Sequence, residues 1–203
     1  GPPGSPGPEP AQVIWVAKSG GDYTTLAAAM AAITDATANK PYVIKIAPGI
    51  YDEPGGVTVK SFVDIEGSGR NQTTIQCACT ATTELGTGVS TLRLDGSDNE
   101  IRSLTVITTG GASNFASAIL VGAAAGNVHL DDLDITASGA TALRGVELRS
   151  GAVLSDVTIS ASSASGGATG VSQSSLQTTA LERITVTAIG ATTSRALSVS
   201  PGS

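Results

Sequence analysis

Four stretches of the chain share one pattern of apolar and polar positions. EIRSLTVI, HLDDLDIT, VLSDVTIS and LERITVTA all read apolar-x-x-apolar-x-apolar. The apolar sets are Ile101, Leu104, Val106; Leu130, Leu133, Ile135; Leu154, Val157, Ile159; and Leu181, Ile184, Val186. Their middle members are 29, 24 and 27 residues apart. A second family of short apolar runs falls between them, beginning at Leu92, Ile119, Val146, Val171 and Leu197, with steps of 27, 27, 25 and 26. Two families with one period of about 26 mark an internal repeat. The runs alternate, favour β-branched residues and are broken by Gly, Ser and Asn, which predicts short strands.

A leucine-rich repeat of this length carries an Asn or Cys after its Leu line and usually a helix, and neither is found here. A propeller blade needs about 40 residues. The spacing therefore predicts an all-β, single-stranded parallel β-helix, a solenoid in which each strand pairs with its counterpart one turn away, about 4.8 Å distant. Upstream, Thr24 or Thr25 can N-cap a short helix that puts Leu26, Met30 and Ile33 on one face. That helix would close the first coil, whose unpaired strand edge otherwise invites aggregation. The expected organisation is a segment at 1–10, an N-terminal cap at 11–56 and solenoid coils at 57–203.

In this register the acids of HLDDLDIT fall between core positions. Asp131 aligns with Arg102, Ser155 and Glu182; Asp132 with Ser103, Asp156 and Arg183; Asp134 with Thr105, Thr158 and Thr185. Arg102–Asp131 and Asp156–Arg183 are expected to pair across adjacent coils. Only Asp132 over Asp156 stacks like charges, so these two form the candidate cation site. His129, the single histidine, is expected solvated at a turn or strand start, without a triad partner.

Composition narrows the partners. Net charge is −6 with a sequence pI of about 4.6, which argues against nucleic acid and anionic membranes. No apolar run of 18 residues exists to span a bilayer. Cys77 and Cys79, at i and i+2 on a strand, are expected as two small thiols on one face. Asn71-Gln72-Thr73 fits a glycosylation acceptor, relevant only to a secreted eukaryotic protein. GPPGSPGPEP repeats Gly at period three, as a collagen triple helix requires. Read as the end of a stalk, it implies self-association as a homotrimer or fibre.

The N-terminal third adds a resemblance. WVAKSGGDYTTLAAAMAAI, YVIKIAPGIYDE and VDIEGSGRNQTTI follow the order of a Gly-Asp-Tyr turn, an Ala-rich helix, a Pro-Gly-x-Tyr strand exit and a Gly-x-Gly turn ending in Thr-x-Ile. This resembles pectin methylesterases and other pectin-lyase-like proteins, and implies a right-handed β-helix. The pectin methylesterases use two aspartates, one acid/base and one nucleophile, in Gln-Asp-Thr and Asp-Phe-Ile-Phe-Gly segments. The resemblance would place these after LDIT and within 153–170, where the chain reads ASGAT and offers only Asp156. No catalytic residue is carried over, and neither a cofactor nor a metal is implied. The expectation from sequence is thus a non-catalytic structural or receptor-binding module of an extracellular collagen-like fibre, at a cell surface or on a virion, with a cell-surface glycan as a further candidate partner. The alternative is a divergent carbohydrate-active enzyme acting on acidic polysaccharide.

Overall fold

The computed structural model describes residues 11–79, 90–110, 115–139, 141–175 and 177–200. The Gly-X-Y run at 1–10 lies outside them.

The chain forms a parallel β-solenoid of six turns, one for each strand of its smaller sheet. The larger sheet holds β1 (Gln12–Val16), β2 (Tyr42–Ile46), β3 (Gly49–Asp52), β5 (Val63–Glu66), β6 (Thr73–Cys77), β8 (Asn99–Thr109), β10 (Val128–Ser138), β12 (Ala152–Ser163), β14 (Ala180–Glu182) and β15 (Thr185–Gly190). The second sheet holds β4 (Val57–Val59), β7 (Leu92–Leu94), β9 (Phe115–Val121), β11 (Ala142–Leu148), β13 (Gly167–Gln173) and β16 (Thr193–Val199). Every pairing between named strands is parallel, and the register is the one the repeat implies: Leu104 pairs with Leu133 and Leu133 with Val157. Leu92, Ile119, Val146, Val171 and Leu197 likewise form one continuous column.

These columns build the core. Ile65, Ile101, Leu130 and Leu154 are wholly buried, as are Leu104, Leu133 and Ile159. Burial fails at the last turn, where Leu181, Leu197, Ile189 and Val199 are exposed. At the other end α1 (Leu26–Ala32), the one helix among the described residues, covers the stack. Thr25 is its N-cap and accepts a hydrogen bond from the Ala28 amide at 3.2 Å. Leu26, Ala29 and Met30 face the core, followed by the buried Ile33.

The long strands are creased. Ser103, Asp132, Asp156 and Arg183 occupy equivalent places and all have left-handed backbones, with φ of 54°, 51°, 52° and 51°. Asp tolerates this conformation better than most residues. Backbone geometry therefore contributes to the choice of Asp132 and Asp156, apart from charge.

The cysteines differ from expectation. Cys77 and Cys79 form a disulfide, with Cα atoms 5.0 Å apart. Cys77 is the last residue of β6, so extended geometry no longer fixes the spacing to Cys79, and the sulfurs meet.

Candidate functional site

The stacked aspartates acquire their cations from the protein. Arg70, in the loop between β5 and β6, places Nε 2.7 Å from Asp132 and Nη1 3.5 Å from Asp134, and donates from Nη2 to the Asp156 carbonyl. Arg183 clasps Asp156 through Nε at 2.7 Å and Nη2 at 2.6 Å. The Arg183 hydrogen bond, ahead of burial and of charge, holds the Asp156 carboxyl below the usual aspartate range. The expected Asp156–Arg183 pair is present, whereas Arg102 turns from Asp131 to Glu66 and Glu100, both at 2.7 Å. Asp131 instead accepts from the Ser155 hydroxyl. Glu66 lies one coil back and Glu100 on the same strand, and together they offer two carboxylates where Asp131 offers one. Among the described residues no three His, Cys, Asp or Glu side chains are grouped to hold a metal ion.

A different constellation stands on the outward face of the second sheet. Alternation turns Val146 and Leu148 inward and Glu147 outward. Outward positions on a solenoid are ordinarily wet, yet Glu147 is only 1% exposed. Three groups enclose it. Arg144 Nη1 lies 2.9 Å from its Oε1 and Arg149 Nε 3.1 Å from the same oxygen. Ser117, on the preceding coil, donates to Oε2 at 3.2 Å. Charge-assisted bonds to both oxygens fix the carboxylate, and it in turn fixes two guanidinium groups.

The second carboxylate of this face is Asp95, just past β7. Arg93 Nε binds it at 2.6 Å, and it remains half-exposed. Gly122 separates it from Arg149. The Gly122 amide donates to Leu94 on one side, and Val121 accepts from the Arg149 amide on the other, at 2.8 and 2.9 Å. A Cβ on Gly122 would sit 2.3 Å from Asp95 Oδ1. The absence of a side chain there lets Asp95 lean over the strand toward Arg149. Backbones two coils apart are about 10 Å distant, and the Asp95 carboxylate over Gly122 spans part of that gap toward the anchored arginines.

The sequence looked for catalytic acids at 137–141 and 153–170. The structure puts the outward acid of that coil at Glu147. The available signal was an acid between two arginines, at i−3 and i+2, on a strand whose equivalents in neighbouring coils are Leu120 and Ser172.

The pectinesterase family model matches residues 12–137. Several solved structures share the fold. Pectin methylesterase PemA from Erwinia chrysanthemi is 20% identical with a TM-score of 0.57, over 81% of this chain and 56% of its own. A pectin methylesterase in complex with a hexasaccharide is 21% identical with a TM-score of 0.61, over 82% and 53%. Pectin methylesterase from carrot is 21% identical with a TM-score of 0.59, over 89% and 65%. The chain thus spans between about half and two thirds of the length of these structures. No curated protein sequence matches significantly. The family match overturns the expectation of a protein without enzymatic activity and leaves the fibre-module reading without support.

Proposed function

The chain belongs to the pectinesterase family, and from that premise we propose that it hydrolyses methyl esters of an acidic polysaccharide outside the cell, on the face of the second sheet around Asp95, Arg144 and Arg149. The carrying observation is the buried Glu147 carboxylate, which anchors two guanidinium groups beside an exposed carboxylate.

Uronate chains present carboxylates and their methyl esters at regular intervals. Arg144 and Arg149, held by Glu147, suit bidentate recognition of such groups. Asp95 serves as general base. It takes a proton from water as the water oxygen bonds to the ester carbonyl carbon. Negative charge gathers on the carbonyl oxygen, toward the arginines, which lose no entropy on reorienting because Glu147 already holds them. The bond to the methoxyl oxygen then breaks, methoxide recovers the proton from Asp95, and methanol leaves. The new carboxylic acid ionises and pairs with arginine. Glu147 is a positioning residue in this scheme, not a catalytic one.

The test is methanol release from highly methylesterified pectin, with Asp95→Asn and Glu147→Gln alongside. Asp95→Asn is expected to lower kcat by about 100-fold or more while KM changes little. Glu147→Gln is expected to raise KM as well. No methanol from the parent protein, or an Asp95→Asn variant as active as the parent, overturns the proposal.

A further inference from the structure

Burial stops abruptly at the last turn. Val171 is 1% exposed, and the next member of its column, Leu197, is 51% exposed. Leu154 is 0% exposed, and the next member of its column, Leu181, is 42% exposed. Ile184, Val186 and Ala188 pack against the same core and are only partly covered. These side chains are core rows that lack a next rung, which sets them apart from single apolar residues on an outer surface. We propose that a second copy of this chain supplies that rung. Two molecules join end to end through their last turns, related by a twofold axis across the middle of β15.

The strand edges favour such a contact. β14 and β15 pair only with β12, and β16 only with β13, among the described residues. Their far edges present backbone amides and carbonyls, an arrangement that recruits another strand. A twofold axis across the solenoid reverses strand direction, so the copies meet antiparallel. β15 then lies over β15 of the other copy, and β14 over β16. The apolar rows of the two ends close on each other, and their burial drives the contact.

The size fits. The last turn comprises residues 177–200, about the roughly 20–30 residues a side of a standard interface. In an end-on contact all of them contribute backbone or side chain.

The charges also fit a second copy. Glu182 stands in the column of Asp131 and Ser155, on the outer face of β14 near the crease. Arg195 stands in the column of Arg144 and Thr169, on the outer face of β16 near the turn from β15. Glu182 meets only Arg183, at 3.9 Å, and Arg195 has no ion pair among the described residues. Placing β14 over β16 brings together the two corners that flank β15. Glu182 of one copy then faces Arg195 of the other, and the symmetry makes the pair twice.

The opposite end does not offer a matching surface. The helix α1 covers the core there. The Trp15 amide donates to the Asp22 carboxylate at 2.8 Å, and the Trp15 carbonyl accepts from the Asp22 and Tyr23 amides at 2.8 and 3.1 Å. Val13 and Trp15 are exposed as outward side chains of β1, not as a core without a next turn. Joining like ends therefore gives a closed dimer, whereas joining unlike ends would give an open filament.

Light scattering on the full chain at micromolar concentration tests the proposal. The expected mass is twice the 20.0 kDa of one copy, with no growth beyond it as concentration rises. In a single copy these side chains support the fold only weakly, so substitutions here read association. Glu182→Arg and Arg195→Glu, both at exposed positions, should each weaken the dimer about 10-fold. The double variant should recover it, an outcome that a change in folding would not produce. Leu197→Asp should give a single copy with the circular dichroism of the parent. A parent of one-copy mass, a three-copy mass, a mass that climbs with concentration, or a double variant no tighter than the single ones overturns the proposal.

Discussion

Glu53 and Leu26, 27 residues apart, are joined by a hydrogen bond of 2.6 Å from the Leu26 amide to the Glu53 carboxylate. The Ala27 amide donates to the second oxygen at 3.3 Å. A helix leaves its first amides without internal partners. Here a buried carboxylate from the neighbouring turn supplies two of the missing acceptors, so the lid is attached to the stack by polar contacts as well as by Leu26, Ala29 and Met30.

Removing that link loosens the lid. Glu53→Ala leaves two amides unsatisfied and should cost about 1–3 kcal/mol in denaturant unfolding. Glu53 also carries a pH signature. Burial raises its carboxyl pKa, outweighing the two amide bonds that lower it. The folded-state value thus lies above the unfolded value of about 4.3. The associated stability is complete below that pH and is lost as pH rises through the raised value. Glu53→Gln keeps an acceptor and does not titrate, so its melting temperature should vary less across that window.

Core columns and open end should differ sharply. Leu133→Ala opens a cavity at a fully buried position and should cost about 2–5 kcal/mol. Leu181→Ala, on the exposed last turn, should cost under about 1 kcal/mol. Chemical denaturation of the two variants reads the difference.

Arg183→Ala should release the Asp156 carboxyl, moving its pKa up toward the ordinary aspartate value of about 3.9. In the parent the depressed folded value gives a contribution present above that pH and lost as pH falls through it. The variant should therefore be less stable at neutral pH and converge with the parent in acid. Carbon-detected NMR titration of Asp156 checks the shift directly.

Gly122→Ala probes the proposed active face without replacing a charged residue. The added methyl meets Asp95 Oδ1, and Asp95, at the end of a mobile side chain, should swing away. Methanol release should fall about 10-fold or more with little change in melting temperature. A variant with full activity would show that Asp95 need not lean over this strand.

The sequence made the core legible because burial imposes one rule on every turn. Leu104, Leu133 and Val157 had to recur, and so did Leu92, Ile119 and Val146. Thr25 was legible for a similar reason, since capping is local. The outward residues obey no such rule. Glu147 reads like a solvated rung until Arg144, Arg149 and Ser117 close around it. Arg70 belongs to a loop outside the repeat, so alignment of coils could not bring it to Asp132. Arg102 had three acids within reach, and the alignment of repeats, which began with its own strand, named only Asp131 although Glu66 is its partner in register on the other side. Cys79 falls two residues past the end of β6, where the length of the strand decides between parallel thiols and a disulfide.

The crease through Ser103, Asp132, Asp156 and Arg183 acts as a datum line from which every turn is measured. The strand on its far side keeps the same pairing from coil to coil, and variation in turn length is left to the connections between the sheets. Such a scaffold can have its rims recut, lengthened or shortened while the floor between them keeps its coordinates. Specificity can then drift with the rims while the creased sheet keeps its register.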